Sequence, residues 1–330
     1  MNLKKLPKVE LHVHLDGSLK IDTINELTNY QYSKKELEER LIAKQNCQDL
    51  NMYLEKFELP LKLLQTKENL TRVSYELCEE LKKENVIYAE IRFAPLLHTK
   101  KCLDLEEVVI AVLNGLNKST IKTNLILCLM RGANKKDNLK TIELAKKYLN
   151  NGVVGIDLAG AESLYKNELY EDLFRYANEL KIPFTIHAGE ASNEESIISA
   201  LNMGAKRIGH GIKAINNEEL IKRLKKDKIA LEICPTSNIN TKAIDNIKNH
   251  PIYDLYKQGV LTTINTDNKT VSNTDLIKEY ELLLNNFPFK INDIIKMNEY
   301  AIECSFLPDK EKNKLHSLYK KELEKINIIK

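Results

Sequence analysis

The chain has 330 residues, and 50 Lys and Arg against 47 Asp and Glu give a formal net charge of +3. A hydrophobic content of 43% with 29% charged residues is typical of a globular protein and excludes a disordered one. The balanced charge predicts no nucleic-acid partner, and the absence of an 18-residue apolar run predicts no membrane partner. The six cysteines form no CxxC pair, which predicts free thiols in a reducing compartment. The first residues lack the apolar core of a signal peptide, which together with the thiols predicts a cytoplasmic location.

Eight short β-rich runs recur along the chain, and each is followed by a helical pattern. The runs begin at Val9, Val86, Asn124, Val153, Ile182, Ala205, Ile229 and Val260. Strands that alternate with amphipathic helices predict a parallel sheet with helical crossovers, and eight units fit an α/β fold of the (β/α)8 TIM-barrel type. An open doubly wound sheet is the alternative, although no GxGxxG motif follows an early strand.

The spacing of the runs is irregular in one place, because about seventy residues separate the first run from the second. We expect residues 21–81 to add helices at the barrel rim, and a further amphipathic pattern predicts a helix at the C-terminus. Four apolar side chains at helical spacing, which form either core or a lid over the site, are Tyr53, Leu54, Phe57 and Leu61. No linker composition divides the chain, which predicts a single catalytic domain over residues 1–330.

Two histidines stand two residues apart in the first run, in the sequence LHVHLDG. Because a strand repeats every two residues, His12 and His14 point to the same face, which is a chelating geometry for zinc or a similar ion. Such a pair alone is equally compatible with two polar residues that face water. The assignment of a metal site therefore depends on residues elsewhere in the chain.

Further candidate ligands follow the later strands. The fifth run ends in HAGE, with His187 and Glu190; the sixth places His210 between two glycines; the eighth ends at Asp267. The C-terminal ends of the strands of a TIM barrel meet at one face, where active sites are built. Together these residues predict a mononuclear metal site there.

Seven motifs follow one another along almost the whole chain: HVHLDGS, YAEIRFAP, GIDLAGAE, HAGEA, RIGHGIKAI, CPTSN and INTDN. In this order they resemble the motifs of the adenosine deaminase family. The resemblance implies a TIM-barrel hydrolase with one Zn²⁺ per chain and a small purine nucleoside and water as substrates. Its implied reaction converts adenosine, and 2'-deoxyadenosine, to inosine and ammonia in purine salvage.

Carried over residue by residue, the family pattern implies a role for each candidate. The implied zinc ligands are His12, His14, His187 and Asp267. Zinc would lower the pKa of its bound water, and His210 with Asp267 would orient that water and receive its proton. Glu190 would protonate purine N1, which requires a pKa raised by an apolar pocket. The implied substrate contacts are His14, Asp16 to a ribose hydroxyl, the Gly160 N–H to N3, and Asn268 to N7.

The chain departs from the common family pattern after the eighth run, where Asn268 and Lys269 replace Asp and Pro. The departure concerns the contact to N7, so adenine and a modified adenosine nucleoside stay open as alternative substrates. AMP is less expected, because no basic cluster accompanies Asp16. A binuclear amidohydrolase would need a lysine in strand four, and the PCxxC signature of cytidine-type deaminases is absent. A non-catalytic metal-binding barrel is the remote alternative, and the sequence does not predict the oligomeric state.

Overall fold

The computed structural model describes residues 2–43, 47 and 49–326. Residues 44–46 and 48 of the predicted rim insertion, and residues 1 and 327–330 of the predicted domain, lie outside the described residues. Each of the eight predicted runs overlaps one strand, and β1 and β3 begin one and two residues before their runs. The strands are β1 (Lys8–His14), β2 (Val86–Phe93), β3 (Lys122–Met130), β4 (Val153–Ala159), β5 (Thr185–Ala188), β6 (Arg207–His210), β7 (Ala230–Ile233) and β8 (Leu261–Ile264).

The strands are parallel and pair in chain order, in one set from β1 to β4 and another from β5 to β8. Two bridges join the sets, since Ile156 pairs with Phe184 and Val13 pairs with Asp267. At the second bridge the Asp267 N–H donates to the His12 carbonyl at 2.8 Å. The eight strands thus surround one barrel interior, and the predicted TIM-barrel fold is confirmed.

Helices connect the strands and surround them. Within the described residues they are α1 (Ile21–Leu27), α2 (Lys34–Leu41), α3 (Leu50–Leu54), α4 (Glu58–Leu63), α5 (Lys67–Lys83), α6 (Leu105–Leu116), α7 (Lys135–Tyr148), α8 (Glu171–Glu179), α9 (Glu194–Met203), α10 (Glu218–Lys226), α11 (Pro235–Asn240), α12 (Ile252–Lys257), α13 (Leu276–Asn286), α14 (Ile291–Cys304) and α15 (Asp309–Lys325). Among them, no helix combines the length and the apolar character needed to cross a membrane. All six cysteines are free, and Cys102 is exposed.

The first crossover differs from the others because four short helices, α1 to α4, precede the crossover helix α5. The 17-residue α5 packs against β2 and α6, as a TIM-barrel helix does. Helix α3 instead contributes Leu50 and Tyr53 to a small separate cluster that includes Val271, in the loop after β8. The Ala43 N–H donates to the Val271 carbonyl at 2.8 Å. The insertion is therefore attached over the C-terminal end of the barrel.

Charged side chains fill part of the barrel interior, where an apolar layer is usual. Arg92 contacts Asp157 at 2.9 Å and Glu232 at 2.8 Å. Arg207 contacts Glu232 at 2.5 Å and Glu90 at 2.6 Å. All five side chains are fully buried. We call this series, in the order Glu90, Arg207, Glu232, Arg92 and Asp157, the charge ladder; it lies beneath the ends of the strands.

Candidate metal centre and active site

The predicted site residues meet around one cavity of about 310 Å³ at the C-terminal ends of the strands. A cavity of this size suits a small-molecule ligand. The predicted residues that line it are His14, Asp16, Gly160, His187, Glu190, His210, Asp267 and Asn268. His12 is fully buried next to them. The structure therefore brings every predicted site residue to one place.

A cluster of histidines and one aspartate lies at the base of the cavity. His12, His187, His210 and Asp267 each offer a ligand atom, and these atoms lie within 4.8 Å of one another. The Nε2 atom of His14 lies 3.3 Å from His187 Nε2 and 3.4 Å from Asp267 Oδ1. Nitrogen and carboxylate ligands that converge in this way could hold a metal ion.

Two carboxylates orient the imidazoles of the cluster. His12 Nδ1 lies 2.8 Å from Glu232 Oε2, and His187 Nδ1 lies 2.9 Å from Asp157 Oδ2. Although burial favours the neutral acid, nearby positive charge lowers the pKa of both carboxyl groups, so each accepts the Nδ1–H. The lone pair of each Nε2 then faces the cluster, as in histidines that bind a metal.

A further observation fits a divalent cation. The buried Nε2 of His12 has no hydrogen-bond partner. Its lone pair is therefore available to a metal ion, for which a neutral imidazole is a common ligand. The residues present fit such a metal.

The backbone at two strand ends is in the left-handed region. His210 has φ 61° and Asp267 has φ 58°, which is uncommon for residues with a Cβ and is concentrated at functional sites. Gly17 allows a further close approach, because a Cβ there would lie 1.9 Å from Asn268 Oδ1. That buried Oδ1 has no hydrogen-bond partner. The loops after β1 and β8 are thus shaped together around the cavity.

Glu190 lies in the loop after β5 and faces the cluster. Its Oε1 accepts hydrogen bonds from Thr241 Oγ1 at 2.9 Å and Asn238 Nδ2 at 3.1 Å. Its Oε2 lies 3.4 Å from His210 Nε2. Burial raises the pKa of Glu190 to about 7, and the negative charge of Asp267 contributes to the increase. A carboxyl group with this pKa can carry a proton near neutral pH.

Glu162 holds the backbone of the same loop, a role that the sequence reasoning missed. Its Oε1 accepts from Gly189 N–H and Ser196 Oγ, each at 2.6 Å. Its Oε2 accepts from the N–H groups of Glu190 at 3.1 Å, Ala191 at 2.7 Å and Ser192 at 3.1 Å. The only sequence signal is an acidic residue at the end of GIDLAGAE. One buried carboxylate thus fixes the loop that bears Glu190.

Other polar neighbours were also missed. Ser237 Oγ donates to Asp267 Oδ2 at 2.5 Å and so orients that carboxylate. His98 Nε2 lies 3.8 Å from Asp16 Oδ2, and both His98 Nε2 and Asp16 Oδ1 are buried without a hydrogen-bond partner. The Tyr53 hydroxyl lies 2.7 Å from Ser272 Oγ and links the insertion to the loop after β8. The rim insertion is therefore bonded to the segment that carries Asp267.

The outer wall of the cavity is apolar. It includes the four side chains predicted as core or lid, Tyr53, Leu54, Phe57 and Leu61. Apart from the histidines, the only cationic side chain among the described lining residues is Arg131. Its Nη atoms donate to the carbonyls of Tyr165 and His187 and to Asn167 Oδ1, at 2.6–2.7 Å. Arg131 is thus engaged by the protein.

Known proteins are similar to the chain over nearly its full length. The family model described as Adenosine deaminase matches residues 7–322. An adenosine deaminase of Clostridium botulinum (strain Langeland) is 42% identical over 334 residues, covering 98% of this chain and 99% of that protein. Two solved structures are also similar, and each alignment covers 97% of this chain and 99% of the other chain. They are the N6-mAMP deaminase of Arabidopsis (29% identity, TM-score 0.87) and the adenine deaminase of Arthrobacter aurescens (25% identity, TM-score 0.88).

Proposed function

The chain belongs to the adenosine deaminase family, and on that premise we propose that it hydrolyses adenosine, and 2'-deoxyadenosine, to inosine and ammonia in purine salvage. It is an enzyme that acts on C–N bonds, as its family is. One observation carries the choice of reaction: a buried carboxyl group with a raised pKa, Glu190, faces a histidine–aspartate cluster in one cavity. Hydrolysis at a purine carbon needs a general acid and an activated water within reach of the same ring.

The proposed cofactor is one Zn²⁺ per chain. We assign its binding to His12, His14 and His187, through Nε2, and to Asp267. The carboxylate partners of two of these imidazoles and the unpartnered His12 Nε2 support the assignment. A bound divalent ion supplies the Lewis acidity that activates water near neutral pH.

The protein side chains move the protons. Glu190 donates a proton to purine N1, which makes C6 electrophilic, and the water oxygen forms a bond to C6. His210 and Asp267 hold that water, and one of them takes its first proton and passes it to the amino group. The C6–N bond then breaks and ammonia leaves. The second proton of the water returns to Glu190, so that each turnover restores the starting protonation.

The wall of the cavity supports a nucleoside as the substrate. The unpartnered, buried Asp16 Oδ1 is suited to accept a hydrogen bond from a ribose hydroxyl. Free adenine has no ribose and could not make this contact. A 5'-phosphate would meet the carboxylate of Asp16, while Arg131 is already engaged by protein acceptors. In the same proposal the Gly160 N–H donates to N3, His14 borders the substrate, and the Asn268 amide contacts N7. Adenosine is therefore favoured over adenine and over AMP.

A panel of substrates tests the proposal. The zinc-loaded chain is incubated with adenosine, 2'-deoxyadenosine, adenine, AMP and N6-methyl-AMP, and ammonia or methylamine release is measured with the purine products. The proposal predicts the highest kcat/KM for the two nucleosides. A higher kcat/KM for adenine or for either nucleotide would replace adenosine as the substrate, and no release from any of them would contradict deamination.

A further inference from the structure

The amide of Asn238, in α11, lies between one histidine on its outer side and two groups of the active site on its inner side. Its Oδ1 is 3.2 Å from His250 Nε2. Its Nδ2 is 3.1 Å from Glu190 Oε1 and 3.0 Å from His210 Nδ1. All four side chains are buried. Water therefore does not compete for these contacts, and each polar atom must match its neighbour.

His250 determines which way this amide faces. The backbone N–H of Ile252, which can only donate, lies 3.2 Å from His250 Nδ1, so Nδ1 accepts. Burial lowers the pKa of His250 to about 3, so the ring is neutral and carries its one N–H at Nε2. That N–H donates to Asn238 Oδ1. If the amide were flipped, its NH₂ group would face the His250 Nε2–H, which is also a donor, and its oxygen would face Glu190 Oε1, which is also an acceptor. The network therefore excludes the flipped orientation.

The orientation of the amide fixes the tautomer of His210. Because Asn238 Nδ2 donates to His210 Nδ1, the neutral His210 ring carries its proton on Nε2. Nε2 is the atom on the side of Glu190 Oε2, at 3.4 Å. His210 therefore presents an N–H donor to the reacting groups, rather than a lone pair.

The same amide fixes the position of the proton on Glu190. Two donors, Asn238 Nδ2 and Thr241 Oγ1, occupy the lone pairs of Oε1. A proton on Oε1 would face both of these donors at 2.9–3.1 Å, whereas the one donor near Oε2, the His210 Nε2–H, is farther away at 3.4 Å, so the carboxylic acid proton is on Oε2. The acid thus offers its proton from the oxygen that is nearer His210.

We propose that Asn238, oriented by His250, is a positioning residue that keeps the acid proton on Glu190 Oε2 and the imidazole proton on His210 Nε2. The inference rests on the proposed function and refines it, because it divides the work of the two groups that hold the water. His210 donates a hydrogen bond to the water oxygen, and Asp267 takes the proton.

The tautomer of His210 can be measured without any substitution. In the zinc-loaded chain labelled with ¹⁵N-histidine, long-range ¹H–¹⁵N correlations distinguish an Nε2–H ring from an Nδ1–H ring. We expect Nε2–H for His210. His98 is the internal reference, because its Nδ1 lies 2.8 Å from the Leu64 carbonyl and must carry the proton in the neutral ring. An Nδ1–H ring at His210 would overturn the inference, even in a chain that deaminates adenosine normally.

Two substitutions separate positioning from packing. Asn238→Ala removes the donor, and we expect kcat for adenosine to fall about ten- to a hundredfold, because a buried donor to two active-site groups is lost. Asn238→Asp retains the shape and replaces the donor with an acceptor. It should shift His210 to Nδ1–H and lower kcat further than the alanine variant, with KM changed less than kcat.

The control is Asn298→Ala, which removes a buried amide bonded to Val9 and Tyr280 away from the cavity. We expect this variant to lose thermal stability and to leave kcat and the His210 tautomer unchanged. A packing role for Asn238 predicts the reverse order, with the aspartate variant milder than the alanine variant, and that order would overturn the inference. If either Asn238 variant fails to fold, the correlation spectrum of the unsubstituted chain decides alone. Loss of deamination in the unsubstituted chain would instead contradict the proposed function.

Discussion

Glu162→Gln tests whether one buried carboxylate holds the loop that carries the proposed acid. The substitution retains the size of the side chain and replaces one of two acceptor oxygens with an NH₂ group. If the NH₂ group takes the place of Oε1, the Ser196 hydroxyl can turn and accept from it, but the Gly189 N–H is left without an acceptor; in place of Oε2 it would face three N–H groups. An unmatched buried donor costs about 1–3 kcal/mol, so we expect the free energy of unfolding to fall by at least about 1–3 kcal/mol. That is a large share of the ~5–15 kcal/mol that stabilises a typical protein.

The substitution should also displace Glu190, since the N–H of Glu190 is one of the five donors. We expect kcat for adenosine to fall at least tenfold, because proton transfer depends on the position of the acid. Unfolding in urea followed by circular dichroism measures the stability, and steady-state kinetics measures kcat.

The matched control is Glu195→Gln, which removes the same charge from an exposed position in α9. Surface substitutions of this kind change stability by about 0.5 kcal/mol or less. If Glu162→Gln behaves like this control in both assays, the carboxylate does not hold the loop and the reasoning is wrong.

Four further predictions concern the acid, the metal, the purine contact and the buried charge. Glu190→Gln should lower kcat about 10²–10⁴-fold with the zinc content unchanged, and near-normal kcat would show that Glu190 is not the acid. His187→Ala should reduce bound zinc below one per chain by elemental analysis and lower the melting temperature of the protein supplied with zinc; full activity after verified zinc removal would contradict the metal's role. Asn268→Ala should lower kcat/KM for adenosine about ten- to a hundredfold and add little further loss with 7-deazaadenosine, whereas independent losses would exclude a contact to N7. Burial raises the pKa of Glu279 from 4.5 to about 7. Between these pH values the folded chain keeps a proton on Glu279 that the unfolded chain releases. The stability that the protonated side chain contributes at low pH is therefore lost as the pH rises from 4.5 to 7. The Glu279→Gln variant should lack this loss, worth about 3 kcal/mol, when unfolding is compared at pH 5 and pH 8; an identical pH dependence in both proteins would refute it.

The sequence was sufficient to predict the strands because buried parallel strands are short apolar runs, and all eight runs overlap one strand each. The sequence also predicted where the candidate site residues lie, since polar residues at the strand ends of a barrel converge on one face. The residues at which helices begin and end were harder to predict from the sequence. Apolar residues at helical spacing (Ile142, Leu144, Ala145 and Leu149) predict a helix from Lys140 to Leu149. The helix α7 begins earlier, at Lys135, because the Asn134 side chain caps it by accepting from the Asp137 N–H at 2.9 Å.

The residues that sequence reasoning missed share a physical property: their partners are far away along the chain. Glu162 contacts a loop nearly thirty residues later, and Asn238 contacts His210 and Glu190 on two other strand–loop junctions. Periodicity reports which face of an element is buried, and spacing reports neighbours within an element. Neither contains the hydrogen bonds between loops, so these contacts became visible only once the strands were arranged around the barrel.

The charge ladder restricts the routes by which this sequence can change. Removing one member of a buried ion pair leaves an uncompensated charge, which costs about 3–5 kcal/mol, so most single substitutions at Arg92, Glu232 or Arg207 would exhaust much of the protein's stability. Paired replacements, made together, are the accessible route. Two members of the ladder, Glu232 and Asp157, contact the imidazoles of His12 and His187, so a replacement deep in the barrel would also change how basic those nitrogens are. The side chains of Asp16 and Asn268 are not members of the ladder, and we expect new substrate preferences to arise from changes at these two positions while the interior stays fixed.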